Sequence, residues 1–589
     1  MAAFLEDLRQ RARFWSFLAG LARNLVGVEL EKGTLLRTLR LSVRNRTLSV
    51  AEATLMGDLL ERRAAEHPQR TLLLYGDRVL SYQDLDVNSN RAAHGLLRCG
   101  LSPGEGVAIM MRNCPEFLDV FYAIQKTGMY AVPVNVSLKG DGLVHILQSS
   151  GSRALVIDHT CWDSFAAVRR RLPSIRAVIV DRSEAPGDFD PEGPLEELGS
   201  FYDEGLPRVR PEPRPRRGDP AVLMYTSGTT GLPKAVAWRY GDSRVELIGV
   251  LARSIFRADD NLYTCAPLFH ANALFITCLS AIFVGARITL SRKFSARSFW
   301  EEQRRYHTTS FNAMGSMMEI LMIQPPSPLD RQNDVRLVMA AAITPETWER
   351  FEDRYGVTVW NAYGAVDSGR GIIMNVGNAP RGSLGRPVAV KCRVITEEGR
   401  PAAPGEAGEL QMFLGRGKQV EYYGDEEATR AKVGDGWLRT GDMVMRDRKG
   451  NFYYMGRDIE RIRRRGENIT CFDVEREIMK HGAVEEVAVY GVPSELGEDE
   501  VMAAVVPREG VTISPEELID FLRDKLAPFQ IPRFVRFLDE LPKTEVWKVK
   551  KKELQAEGVT ADAWDREKDE VESRRVRGGP GSGQADDGE

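Results

Sequence analysis

Residues 225–234 read YTSGTTGLPK, and the fold turns on how that stretch is read. Gly228 and Gly231 let the backbone approach a ligand where a β-carbon would clash. Thr226, Ser227, Thr229, Thr230 and the Lys234 ammonium supply donors to an anion, and phosphate suits such a set. The run before the loop, PAVLMY at 220–225, has the length and apolar content of a strand, so the loop leaves a strand end as phosphate loops do. Pro233 separates Gly231 from Lys234, unlike the loop of nucleotide hydrolases, where Gly, Lys and Ser or Thr are consecutive. Composition alone would allow a plain surface turn; the order of the residues favours phosphate.

A chain of 589 residues is too long for one core and predicts several domains or subdomains. A formal net charge of −4 argues against a nucleic-acid partner. Seven cysteines lie scattered without a C-x-x-C pair, and seven histidines show no metal-ligand spacing. A reducing, cytoplasmic setting without structural zinc is the expectation. Residues 4–26 carry apolar side chains at helical spacing, interrupted by Arg9, Arg11, Arg13 and Arg23, so the run is too broken to span a bilayer. In LLRTLRLSVRNR, at 35–46, Arg37, Arg40 and Arg44 share one face if helical. Residues 1–46 therefore read either as a peripheral membrane contact or as a helix packed on protein.

From about residue 50 helical patterns alternate with short apolar strands. MGDLLERRAAEHP, YQDLDVNSNRAAHGLLRCG and PEFLDVFYAIQKTG read as helices; TLLLYG, VLSY, GVAIMM and ALVID read as strands. Such alternation predicts an α/β fold of sheets covered by helices. The Pro- and Arg-dense stretch 205–218 reads as an extended connector. The expected division is a basic amphipathic segment at 1–48, a large domain of helix-covered sheets at 49–457, a small mobile α+β domain at 458–565 and a disordered tail at 566–589. Five arginines crowd 457–465, and the reading for that run is a solvated face.

Further stretches now fall into line: PLFHANAL at 267–274, MAAAITPE at 339–346, NAYG at 361–364, GWLRTGD at 436–442, GRDIERI from Gly456, RRGENIT from Arg464 and PKTEVWKVKKKEL at 542–554. In this order, and with TSGTTGLPK, they resemble the adenylate-forming enzymes over residues 50–565. That family includes acyl-CoA synthetases, luciferases and peptide-synthetase adenylation domains. The resemblance implies an enzyme using ATP, magnesium (Mg2+) and coenzyme A, in which a carboxylate attacks the α-phosphorus of ATP and a thiol then displaces AMP.

Residue by residue, the resemblance assigns Thr226, Ser227, Gly228, Thr229, Thr230, Gly231 and Lys234 to the departing pyrophosphate. Ala341, Asn361, Tyr363 and Gly364 would form the adenine slot: the ring of Tyr363 stacks on the base, and Asn361 offers it both a donor and an acceptor. Asp442 would accept the ribose hydroxyls, and Arg457 would reach the nucleotide. His270, by itself as easily a packed core residue, would border the carboxylate pocket. Lys548 would bridge carboxylate and α-phosphate, Glu460 would be the hinge of a rotating C-terminal domain, and Gly466, Glu467 and Asn468 would line the thiol approach.

Departures from the family pattern are local. Val366 and Asp367, in YGAVDSG, stand where threonine and a magnesium-binding glutamate are usual; Asp367 keeps the oxygen ligand on a stem one methylene shorter. Trp547 replaces a common glycine and Ile459 a common basic residue. The first 160 residues resemble fatty-acid transport proteins, which are very-long-chain acyl-CoA synthetases; from PLFHANAL onward the likeness is to crotonobetaine/carnitine-CoA ligases. The methionines and Ile320 in FNAMGSMMEILM, at 311–322, suit an apolar acyl pocket beside His270. The expected activity is ligation of a medium- or long-chain fatty acid to coenzyme A. A carnitine-type acid is the alternative, as is a lipid- or nucleotide-binding protein that no longer turns over.

Overall fold

The computed structural model describes residues 55–191, 193–226, 232–388, 390–396, 398–415, 420–457, 461–494, 497–542, 549 and 551–568. The N-terminal segment, Ser227 to Gly231, Glu460 and Lys548, and most of the expected tail, lie outside these residues. The described chain forms two compact units, residues 55–226 with 233–457, and residues 461–568.

The first unit holds the α/β architecture expected from the alternating pattern. One sheet has seven strands in the order Glu196–Glu197, Ala177–Asp181, Ser152–Asp158, Gly106–Met110, Tyr130–Pro133, Pro220–Thr226 and Lys234–Arg239. All neighbours are parallel except the last pair. Gly106–Met110, Tyr130–Pro133 and Ala177–Asp181 are buried at every position, which is why they read as unbroken apolar runs rather than as alternation.

A second sheet has nine strands. Six parallel members run Val359–Tyr363, Leu337–Ala341, Ser310–Met314, Asn261–Thr264, Arg287–Leu290 and Thr71–Tyr75, and antiparallel strands flank them on both edges. The helices Met56–Glu66, Tyr82–Arg98, Pro115–Thr127 and Ser243–Ile255 contribute to one hydrophobic core that also takes Val107, Ile109 and Ile179 from one sheet and Leu73, Leu262 and Ile288 from the other. The outer faces are covered separately, by helix Gly140–Ser149 on the seven-stranded sheet and by helices Phe299–Arg305 and Pro345–Tyr355 on the nine-stranded one.

Sandwiching makes Pro115–Thr127 buried along its whole length, Lys126 included. That ammonium meets Asp86 at 2.6 Å and bonds Ser89 and Asn90, the pairing a buried charge requires.

A five-stranded antiparallel sheet follows, built on Ala407–Phe413 and Trp437–Arg446, with Phe452–Arg457 pairing the latter. The second unit is α+β: a hairpin, Arg461–Arg464 with Glu467–Thr470, and a four-stranded sheet of Val484–Pro493, Asp499–Pro507, Phe534–Phe537 and Trp564–Asp565. Arg465 and Gly466 form the two-residue hairpin turn with φ of 52° and 81°, the left-handed pair such a tight turn demands.

The arginine run does not form a purely solvated face. Arg464 is fully buried, its guanidinium bonded to the carbonyls of Phe529 and Ile531 and 2.5 Å from the buried Glu500. Desolvation brings it down to about 10 even so. No helix among the described residues is long and apolar enough to cross a membrane.

Candidate functional site

Ala341, Asn361, Tyr363 and His270 lie at or near the carboxyl ends of parallel strands of one sheet, where open α/β sheets place their ligands. In the nine-stranded sheet Ala341 closes one strand and Tyr363 the next, with Ala340 in register with Asn361. His270 follows the end of Asn261–Thr264, two strands away. Its ring lies 4.6 Å from that of Phe269, just before the eight-residue π-helix Asn272–Leu279. A π-helical stretch is an uncommon geometry and concentrates at functional positions.

Asn361 is almost wholly buried. Its amide donates to the Ser383 carbonyl at 3.1 Å, while its side-chain oxygen has no partner. One of the two amide N–H donors is thus taken by the protein, and the second donor and the acceptor oxygen are left to meet a base. An orphaned buried acceptor costs about 1–3 kcal/mol, which a ligand amino group would relieve.

Tyr363 leaves the end of its strand and donates its hydroxyl to the carboxylate of Asp442. Asp442 is 1% exposed and sits opposite Arg457 in the antiparallel pairing of Trp437–Arg446 with Phe452–Arg457. Its amide also bonds the Thr440 hydroxyl at 3.1 Å. A ring and an orphaned amide oxygen on one strand are thereby brought to a carboxylate on another.

On the seven-stranded sheet Thr226 and Lys234 face each other across the antiparallel end of the strand pair. His145 bonds the Pro233 carbonyl at 2.8 Å, holding the chain just ahead of Lys234. The Lys234 ammonium lies 3.1 Å from Asp425 and 5.7 Å from the ring centre of Tyr422. Tyr422 is placed there because its segment pairs alongside Lys234–Arg239: Val236 bridges Tyr422, and Tyr423 donates to the Ala235 carbonyl. Arg239 clasps Glu421 through two bonds, at 2.7 and 2.9 Å.

Asp367 was the expected magnesium ligand, and its surroundings do not fit that task. Its Oδ2 accepts the Tyr422 hydroxyl at 2.8 Å and pairs with the Lys432 ammonium, also at 2.8 Å. Hard divalent cations gather oxygen ligands; an ammonium on the same oxygen already neutralises it and repels a second cation. Val366, beside it, turns its side chain against the shared hydrophobic core. Gly364 is exposed.

The methionine-rich stretch needs a second correction. Met318 and Leu321 are fully buried among Phe299, Trp300, Phe311, Trp348, Phe351 and Tyr355, so they fill the outer core of the sheet rather than a pocket. The helix Gly315–Ile323 turns them that way because i and i+3 share a face. Asn312, on the strand Ser310–Met314, donates to Asn272 and to Thr277, both at 2.9 Å. In the second unit the Gly466 amide donates to Glu498 at 3.0 Å, and Glu467 and Asn468 open the following strand.

The AMP-binding enzyme family model matches residues 60–419, and the model of its C-terminal domain matches residues 473–548. The chain belongs to the AMP-binding enzyme family. At that level it is an adenylate-forming acid–CoA ligase, using ATP and coenzyme A. A crotonobetaine/carnitine–CoA ligase of Salmonella agona is 30% identical over 485 residues, covering 81% of this chain and 93% of the relative. An o-succinylbenzoate CoA synthetase double mutant from Bacillus subtilis shares the fold with a TM-score of 0.73 at 24% identity, over 86% of this chain and 99% of its own. An amide bond synthetase from Marinactinospora thermotolerans does so with a TM-score of 0.73 at 22% identity, over 84% and 99%.

Tyr422, Lys432 and His145 were not singled out in the sequence. Tyr422 and Lys432 sit in EYYGDEEATRAK, where no spacing points back to residue 367. His145 lies on an amphipathic helix, where an isolated histidine has no distinguishing pattern.

Proposed function

We propose that this AMP-binding enzyme joins a medium- or long-chain fatty acid to AMP and then to coenzyme A, releasing pyrophosphate and AMP. The observation that carries the nucleotide half is the buried Asp442 carboxylate, bonded by Tyr363 and neighboured by the orphaned oxygen of Asn361. In this reading Asp442 accepts the ribose hydroxyls and Asn361 Oδ1 accepts the adenine amino group. The Tyr363 ring stacks on the base, with Ala341 and Gly364 leaving room for it.

Thr226, Ser227, Thr229, Thr230 and Lys234 donate to the pyrophosphate as negative charge builds on it, with Gly228 and Gly231 allowing close approach; fixed donors act where charge develops. Lys548 bridges the attacking carboxylate and the α-phosphate, Arg457 reaches the nucleotide, and His270 borders the acid. Glu460 is the hinge, and Gly466, Glu467 and Asn468 line the path of the thiol. Magnesium enters only as a companion of the nucleotide's own phosphates, since Asp367 is already paired. Peripheral membrane contact through residues 1–46, in a cytoplasmic setting, belongs to the same proposal; unchanged membrane partition after their deletion would remove it.

The half-buried Ile320 and the apolar π-helix support a hydrocarbon chain. The polar trio Asn272, Thr277 and Asn312 supports the second reading, a carnitine-type acid with its own hydrogen-bonding group. Pyrophosphate release across a panel of both kinds of acid, with and without coenzyme A, separates the two. Lys548→Ala is expected to abolish ATP–pyrophosphate exchange while sparing thioester formation from supplied acyl-adenylate. Equal loss of both half-reactions would overturn that assignment.

A further inference from the structure

We propose that Lys432 is the fixed cation at the phosphate end of this nucleotide site, and that its ammonium donates directly to a phosphate of the bound nucleotide. The inference rests on the adenylate-forming reading above and deepens it at one position. Lys432 ends the helix Glu426–Lys432, and its Nζ meets Asp367 at 2.8 Å and the Thr440 carbonyl at 3.4 Å. Two of the three N–H bonds of an ammonium are thus accounted for, and the third is left for a ligand.

The surroundings say which ligand. Thr440 lies two residues before the ribose-binding candidate Asp442, and its hydroxyl receives the Asp442 amide. Asp367 shares Tyr422 with the phosphate-loop lysine: the Tyr422 hydroxyl bonds Asp367, and Lys234 lies over the ring. Lys432 therefore stands on a continuous path from the ribose end to the phosphate end. The charged groups facing it are Asp367 directly and, through Tyr422, Lys234 with its partner Asp425.

A purely structural role explains less. A nearly buried ion pair contributes little net stability, because desolvating both charges offsets their attraction. The Lys432 ammonium instead places a positive charge directly on the Asp367 carboxylate. What the metal ligand of the sequence reading would have supplied, a cation against phosphate oxygens, is here supplied in part by the side chain.

The test is ATP binding by calorimetry on the full-length chain, with magnesium and in excess EDTA. The unsubstituted protein is expected to retain measurable affinity in EDTA. Lys432→Met should weaken binding in EDTA by about tenfold to a hundredfold, the worth of one hydrogen bond between charged partners, and by less when magnesium is present. Lys432→Arg should keep most of the affinity. Because Lys432→Met leaves Asp367 buried without its cation, Lys432→Met combined with Asp367→Asn removes both charges; the same selective loss is expected from a protein whose melting curve is unaltered. An equal loss with and without magnesium, or no loss in EDTA, would overturn the proposal. A protein that binds no ATP even with magnesium would instead sink the adenylate-forming reading itself.

Discussion

A single methyl group at Gly315 tests whether the adenine slot is set by close approach of two backbones. Gly315 opens the helix that follows Ser310–Met314, and a β-carbon there would lie 1.9 Å from the Ala342 carbonyl oxygen and 2.9 Å from its carbon. Ordinary contact begins at 3.4 Å, so the two chains must part by more than an ångström. Ala342 has no slack to give, since it already sits at a φ of 54°. It also follows Ala341, the residue at the mouth of the slot. Overpacking of this kind costs about 1–3 kcal/mol, and displacement of a binding group by about 1 Å can cost a hundredfold in rate. Gly315→Ala is therefore expected to melt a few degrees lower and to lose ATP–pyrophosphate exchange by about a hundredfold. Differential scanning fluorimetry and the exchange assay read the two effects separately. An unchanged melting curve with unchanged exchange would refute the claim that this contact shapes the slot. Lower stability with full exchange would confine Gly315 to packing.

Tyr363→Phe keeps the ring and deletes the hydroxyl that serves Asp442, so ATP affinity is expected to fall about tenfold with little change in fold; equal titration curves would separate Tyr363 from the ribose contact. Burial pushes the thiols of Cys161, Cys265, Cys278 and Cys392 up to about 12 and that of Cys99 to about 11. The native protein should accordingly resist alkylation at mildly alkaline pH until denatured, and rapid labelling of the buried Cys161, Cys265 and Cys278, followed by mass spectrometry, would contradict this. In the C-terminal unit burial raises Asp473 and Asp499 from 3.8 to about 6. Between those values the fold holds protons that the unfolded chain has released, so this contribution is fully present at low pH and is lost as pH rises through about 6. Asp473→Asn combined with Asp499→Asn should flatten that slope in chemical denaturation, and parallel stability curves for variant and parent would exclude these two groups as its source.

The candidate site was legible where its signals are local. A strand, a glycine-rich turn and a lysine close together in the chain point to a phosphate loop, and the resemblance of GWLRTGD marked Asp442, which the structure places on the strand Trp437–Arg446. Asn361 was legible as a candidate, but not that one of its two amide donors goes to Ser383, a partner reached only through the chain's return. The methionines of 315–323 misled because an apolar helical face looks the same whether it lines a cavity or meets Phe351 and Tyr355. The arginine run misled in the opposite sense: charge suggested solvent, whereas Glu500 and two carbonyls make a buried place for Arg464.

By itself the amino-acid sequence determined the α/β alternation, through periodicity within short windows, and the family, through the resemblance of its ordered motifs; the same motifs marked the candidate phosphate loop and the candidate ribose carboxylate. Only the tertiary structure decided that Asp367 is held by Lys432 and Tyr422, that Asn361 keeps a lone acceptor, and that Gly315 meets Ala342. Those facts depend on how strands far apart in the chain stack side by side. Hydrophobic burial sets that stacking over the whole core, so no short window of residues encodes which side chains it brings within a hydrogen bond of each other.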